Sequence, residues 1–112
     1  MGYRSQVAIE LEVKEKEILK TAIKYDENLK EIVDWAETKD NWDKKHPDLS
    51  CILSWEFIKW YEGNAYIDAM MSFLSHIDDE SYKFIRVGED FDDVEVSGCL
   101  WGRLDITREL QW

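Results

Sequence analysis

The sequence predicts an α+β fold: a two-layer sandwich with a four-stranded mixed sheet and two helices on one face. Two kinds of periodicity predict it. Apolar and polar residues alternate in several short segments, as in half-buried strands, and two longer segments repeat apolar residues every three or four positions, as in helices. The chain has 112 residues, of which 45% are hydrophobic, so residues 1–112 are predicted to form a single domain.

The first strand has a clear alternating pattern. We predict a half-buried strand over Tyr3 to Val13, because Val7, Ile9 and Leu11 point to one side and Glu10 points to the other. The apolar side is expected to face the core, and the side that carries Glu10 is expected to face solvent.

A long helix is predicted over Lys14–Thr38. Its apolar stripe, which includes Tyr25, is wide enough for a helix that packs against a sheet, and Lys16 belongs to its solvated face. The residues expected to pack on the sheet are Ile18, Ala22, Leu29, Ile32 and Val33.

The rest of the chain is predicted to supply a loop, three strands and a second helix. They follow one another as loop Lys39–Asp48, strand Leu49–Tyr61, helix Ala65–Ile77, strand Tyr82–Val87 and strand Val94–Leu110. The strand Leu49–Tyr61 is apolar on both faces, which indicates a central strand or one whose second face meets a partner. The predicted element order is therefore β-α-β-α-β-β.

The chain is strongly acidic. It has 25 Asp and Glu against 14 Lys and Arg, for a net charge of −11. This charge disfavours binding to nucleic acid and to anionic membranes, and it allows a basic protein partner. Many proteins, however, are acidic only because the charge keeps them soluble. Eight carboxylates fall within eighteen residues and form the candidate partner-binding acidic run: Asp78, Asp79, Glu80, Glu89, Asp90, Asp92, Asp93 and Glu95.

Aromatic residues are the second candidate for partner contacts. The chain holds six Trp, and Trp55, Trp60 and Tyr61 lie close together in one predicted strand. These rings either pack in the core or form an exposed patch beside carboxylates, which would be a good protein-binding hot spot. Trp42 lies in a polar loop and is exposed unless it folds back onto the core.

Motifs for catalysis or for cofactors are missing from the sequence. Cys51 and Cys99 have no neighbouring His and no C-x-x-C spacing, and both are predicted to be small buried side chains. The acidic segment does not match a calcium loop, and isolated glycines form no phosphate loop. We therefore expect no catalytic residue, no metal, no cofactor and no enzymatic activity. A secretory signal and a membrane-spanning stretch are also not visible.

Three short segments carry a resemblance. The opening residues Met1 to Ala8, the stretch Phe57 to Tyr61, and Phe84 to Asp90 with Asp92 and Asp93 resemble small proteins that are common in tailed-phage genomes. The resemblance implies a phage setting and not an activity. Small acidic phage proteins are often inhibitors of host machinery, such as anti-restriction and anti-CRISPR proteins, and some mimic nucleic acid. The step from a phage setting to an inhibitor rests on analogy with this class of small acidic proteins and not on shared motifs.

The leading expectation is a phage-encoded inhibitor, acting in the cytoplasm of the infected bacterial host, that binds a basic nucleic-acid-binding host or defence protein. Anti-CRISPR activity is the most specific form of this expectation. The acidic run would replace phosphate charge, and the aromatic residues would anchor the partner. The alternatives are a small accessory or structural phage protein that self-associates, and a small enzyme or nucleotide-binding protein. A homodimer through the aromatic strand is also expected if its second face is exposed.

Overall fold

The α+β class is confirmed by a computed structural model, which describes residues 5–43, 50–60, 63–88 and 94–100. The elements in these ranges are β1 (Ser5–Leu11), α1 (Val13–Ala22), α2 (Glu27–Asp34), β2 (Thr38–Asp40), β3 (Cys51–Ile58), α3 (Ala65–Ser75), a 3₁₀ turn (Asp79–Ser81), β4 (Tyr82–Val87) and β5 (Val94–Ser97).

The sheet has the strand order β2-β3-β1-β4-β5, and every neighbouring pair is antiparallel. The prediction of a mixed sheet is therefore wrong. A helical crossover between two strands normally indicates parallel neighbours. Here β3 and β4, which α3 connects, do run parallel to each other, but β1 lies between them and opposes both. The short strand β2 adds a fifth member beside β3, so the predicted element order also changes.

The predicted helix Lys14–Thr38 is two helices. α1 ends at Ala22, the backbone turns, and α2 begins at Glu27. Asp26 caps the second helix, because its carboxylate oxygen accepts hydrogen bonds of 3.1 Å from the amides of Asn28 and Leu29. The last part of the predicted helix, Thr38, belongs to β2.

The break changes which side of each helix faces the core. In α2 the prediction is confirmed, because Leu29, Ile32 and Val33 are buried. In α1 the core side chain is Leu19, whereas Ile18 is exposed, and Tyr25 in the turn is 86% exposed. The predicted apolar stripe assumes one continuous helix with 3.6 residues per turn. Because the helix is interrupted after Ala22, residues before and after the break do not lie on one common face.

Two charged residues that were expected in solvent are buried. Lys16 packs inward on α1, and its Nζ donates a hydrogen bond of 3.2 Å to the carbonyl oxygen of Asn41. Glu10 on β1 is fully buried and accepts a hydrogen bond from the hydroxyl of Ser50. Both groups obtain polar partners from segments distant in the chain, which makes their burial tolerable.

The main core joins one face of the sheet to all three α-helices. Val7, Ile9 and Leu11 of β1 are fully buried in it, as predicted. The other strands and helices contribute the remaining core residues, which include Leu19, Ile32, Leu53, Trp55, Ile67, Met70, Leu74 and Phe84. On the opposite face of β1, Ala8 is also buried beside Ile85, so β1 is not half-buried but buried on both faces.

The last described segment departs from the predicted strand Val94–Leu110. β5 ends at Ser97, and Gly98 follows with φ = +85°. Cys99 is exposed, contrary to the prediction, because this turn carries it out of the sheet, while Cys51 is buried as predicted. The rest of the predicted strand, residues 101–110, lies outside the described residues.

Candidate functional site

A groove with two exposed aromatic side chains lies where the end of β3 meets the end of α2 and the start of α3. It has a volume of about 440 Å³. We name it the aromatic groove and define it by its lining residues, Trp35, Glu37, Trp55, Glu56, Phe57, Ile58, Lys59, Asn64 and Ile67.

Phe57 reaches the groove because β3 contains a bulge. Val7 of β1 pairs with Trp55, but Ser5 pairs with Ile58, so two residues of β3 face the single residue Gln6. Phe57 is one of these two, and its φ is +55°. A bulge bends its strand and redirects a side chain, and here the side chain is 71% exposed.

This backbone conformation is costly for a phenylalanine. The left-handed region places the β-carbon of an L-residue too close to its own backbone, and bulky residues seldom occupy it. Strained backbone of this kind concentrates at sites of binding and catalysis. Phe57 thus combines two unfavourable features, a strained backbone and a large apolar side chain in solvent.

The second aromatic side chain of the groove is Trp35, the residue that ends α2. It is 46% exposed, and its ring meets that of Tyr66 in a T-shaped contact with 5.0 Å between centroids. Tyr66 lies in the first turn of α3, whose N-cap, Asn64, accepts a hydrogen bond from its amide. The contact with Tyr66 therefore supports the Trp35 ring while leaving part of it open to solvent.

The groove is acidic at its rim. Glu37 and Glu56 are exposed carboxylates, and among the described lining residues Lys59 alone carries an ammonium group. The main chain holds Glu37 in place, because its amide donates a hydrogen bond of 2.7 Å to the carbonyl oxygen of Ser54. Exposed aromatic rings beside carboxylates are suited to a cationic or amphipathic side chain of a partner.

Two of the three predicted aromatic anchors are buried. Trp55 lines the aromatic groove but is only 2% exposed, and Trp60 is only 8% exposed. Their rings pack against each other with 5.4 Å between centroids, and Trp60 continues the stack to Phe84 at 5.8 Å. In this fold both rings belong to the core, where a partner cannot reach them as anchors. Tyr61 lies outside the described residues.

The described members of the acidic run do not form one cluster. Asp78, Asp79 and Glu80 are exposed at the 3₁₀ turn that precedes β4. Glu95 pairs with Arg86 further along the β4–β5 ladder, with 3.0 Å between Oε1 and Nε. It is therefore partly neutralised. The other members, Glu89, Asp90, Asp92 and Asp93, lie outside the described residues.

The sequence prediction names neither exposed aromatic residue of the groove as an anchor. The alternating pattern predicts a regular strand at Phe57, and the sequence has no glycine or proline there to signal a bulge. Trp35 lies within the predicted long helix Lys14–Thr38, and no glycine or proline near it signals that α2 ends there.

No protein-family model, curated protein or solved structure matches this chain. In the ranges that the structure describes, no helix has the length and apolar character needed to cross a membrane. Within the same ranges, no three His, Cys, Asp or Glu side chains gather in a way that could hold a metal ion.

Proposed function

We propose that this protein is a non-enzymatic binding protein that recognises a basic protein partner through the aromatic groove. The partner class that we propose is a nucleic-acid-binding host or defence protein, with a CRISPR effector as the most specific case and an infected bacterial cell as the setting. Competition with nucleic acid for the partner's basic surface is the corresponding mode of inhibition.

The observation that carries this proposal is the exposed Phe57 on a strained backbone. Folding alone does not favour a phenylalanine there, because Gly adopts this conformation without the steric cost and exposes less apolar surface. A partner that covers the ring gains its burial, which is worth about 1.5–3 kcal/mol for a side chain of this size. Together with Trp35, it supplies the aromatic anchors that hot spots use.

Charge supports a basic partner. The net charge of −11 attracts a basic surface over long range, and Glu37 and Glu56 place carboxylates at the rim of the groove. The exposed residues Asp78, Asp79 and Glu80 add to this long-range field. The contribution of Glu89, Asp90, Asp92 and Asp93 to partner binding stays a prediction.

The test is quantitative capture from a bacterial lysate with three forms of the protein: wild type, Trp35→Ala/Phe57→Ala, and Tyr25→Ala. Tyr25 is the matched control, since it is an exposed aromatic residue outside the groove. We expect wild type and Tyr25→Ala to retain a basic nucleic-acid-binding protein and the double variant to lose it. Wild type should then block nucleic-acid binding by the purified partner. A captured set that is unchanged by the double variant would contradict the proposal.

Self-association is a second candidate function, and β5 favours it. Among the strands in the described ranges, β5 is the last in the sheet order, and Val94 and Val96 on it are exposed. Exposed apolar side chains on a terminal strand are suited to pairing with a second copy. Sedimentation of wild type and Val96→Lys distinguishes the two functions. A concentration-dependent dimer that Val96→Lys abolishes supports self-association, and a monomer for both forms excludes it.

A further inference from the structure

A second surface pocket, distinct from the aromatic groove, is lined by three lysines. It has a volume of about 720 Å³ and lies between the end of α1, the start of α2 and the residues after β2. Its lining residues are Glu17, Lys20, Thr21, Ile23, Lys24, Lys30 and Trp42. We propose that this lysine pocket binds a small organic phosphate of nucleotide type, with its phosphates on the lysines and its ring beside Trp42.

The described lining of the pocket is richer in lysine than the chain as a whole. Lys20, Lys24 and Lys30 line it with Glu17, and Asp43 and Asp34 pair with two of these lysines, whereas acidic residues outnumber basic ones by 25 to 14 overall. A cluster of lysines in an acidic protein attracts small anions, while the negative surroundings repel a long nucleic acid. The charge pattern thus favours a small anion over a polymer.

The three lysines come from three places around the break between α1 and α2. Lys20 lies in the last turn of α1, Lys24 lies in the turn that follows α1, and Lys30 is the fourth residue of α2. The break between the helices therefore brings the three lysines to one pocket.

Two of the three pocket lysines form weak ion pairs with nearby carboxylates. Lys30 pairs with Asp34 at 3.1 Å, and Lys20 lies 3.9 Å from the carboxylate of Asp43, which is almost fully exposed. Exposed pairs of this kind are weak, so a phosphate that carries more charge can compete with them. The Nζ of Lys20 also donates a hydrogen bond of 3.1 Å to the carbonyl oxygen of Trp42, which fixes it beside the pocket.

The apolar part of the pocket selects an organic phosphate over a free ion. Trp42 is half-buried and packs against the core, as does Ile23, and both line the pocket. The ammonium of Lys20 lies over the Trp42 ring, 5.4 Å from its centroid, so charge and aromatic surface are adjacent. The volume lies within the range of about 300–1,000 Å³ that is typical of small-molecule sites.

The test is an NMR titration of the full chain with three probes: ATP, inorganic triphosphate and adenosine. We expect ATP to shift the signals of Thr21, Lys24 and the Trp42 indole in a saturable way, triphosphate to bind more weakly, and adenosine to produce no saturable shift. Raising the salt concentration from 50 to 200 mM should weaken ATP binding, because the contacts are largely electrostatic. The effect of Trp42 is tested by Trp42→Ala, which should reduce the affinity for ATP to that for triphosphate.

Matched variants separate the pocket from overall charge. Lys24→Gln/Lys30→Gln removes two pocket lysines, and Lys14→Gln/Lys83→Gln removes two lysines outside both the pocket and the aromatic groove with the same change in net charge. We expect the pocket variant to weaken ATP binding about tenfold or more and the control to change it less than about twofold. Equal losses in both variants, saturable binding of adenosine, or no saturable binding of ATP by the wild type would each overturn the proposal. None of these results depends on the aromatic groove.

Discussion

The indole N–H of Trp55 donates a hydrogen bond of 2.8 Å to the carbonyl oxygen of Ile32, near the end of α2. In a continuing helix this carbonyl would accept from the amide of Ala36, but that amide bonds to Val33 instead. A side chain of β3 therefore replaces the missing backbone donor and ties α2 to the sheet. The same bond positions the end of α2, from which Trp35 enters the aromatic groove.

Replacing this donor should destabilise the fold. Trp55→Phe removes the N–H and part of the ring, leaves the Ile32 carbonyl without its side-chain donor, and opens space in the core. We expect the free energy of unfolding to fall by about 2–3 kcal/mol. Urea unfolding measures it, with Trp35→Phe as the control, because that ring is half-exposed and should cost less than about 1 kcal/mol. If Trp55→Phe and Trp35→Phe lower the free energy of unfolding equally, the hydrogen bond from Trp55 to Ile32 contributes little to stability.

The Asp26 cap should account for the separation of α1 and α2. Asp26→Ala removes the oxygen that accepts from two amides of α2, and we expect a loss of about 1 kcal/mol in unfolding free energy. Asp26→Asn keeps an acceptor oxygen and should retain most of the stability. If Ala and Asn variants unfold at the same urea concentration, the side-chain hydrogen bonds are not what stabilises the start of α2.

Two glycines with positive φ should respond differently to alanine. Gly63 has φ = +94° and open space around it, whereas a β-carbon on Gly98 would lie 2.3 Å from the carbonyl oxygen of Tyr82. Gly63→Ala should therefore cost only the backbone strain, about 1 kcal/mol. Gly98→Ala should cost about 2 kcal/mol more, since the β4 backbone must move. Thermal unfolding compares them, and similar melting temperatures would contradict the close approach of Gly98 to β4.

Replacing Phe57 should weaken partner binding without destabilising the fold. Phe57→Gly relieves the strained backbone and removes little buried surface, so the free energy of unfolding should stay the same or rise by up to about 1 kcal/mol. Partner binding should fall because the anchor is gone. Phe57→Ala keeps a β-carbon and should lose binding equally without the gain in stability. A large loss of stability in the glycine variant would show that the ring supports the fold.

The groove carboxylates should act mainly on the rate of association. Glu37→Lys/Glu56→Lys should slow association with the captured partner, and the effect should shrink as salt is added. Glu27→Lys/Glu31→Lys on the exposed side of α2 is the control, with the same change in net charge. Stopped-flow mixing measures both rates. Equal slowing would assign the effect to the overall charge instead of the groove.

Several features of the fold could be predicted because they depend on short-range patterns. The alternation of Val7, Ile9 and Leu11 predicts the core face of β1, and Leu29 and Ile32 predict that of α2. Periodicity of this kind needs only the local backbone geometry. The helix break was also visible in principle, because Asp is a preferred N-cap residue and Asp26 lies where α2 begins.

The sequence by itself determined the α+β class, the main strands, the buried face of α2 and the acidic character of the surface. Only the tertiary structure decided that Glu10 and Lys16 are buried, since their partners Ser50 and Asn41 are distant in the chain. It also decided that Phe57 is exposed while Trp55 is buried. A one-residue bulge in the pairing of β3 with β1 reverses which side chains face the core, and strand register depends on contacts between segments that no local pattern specifies.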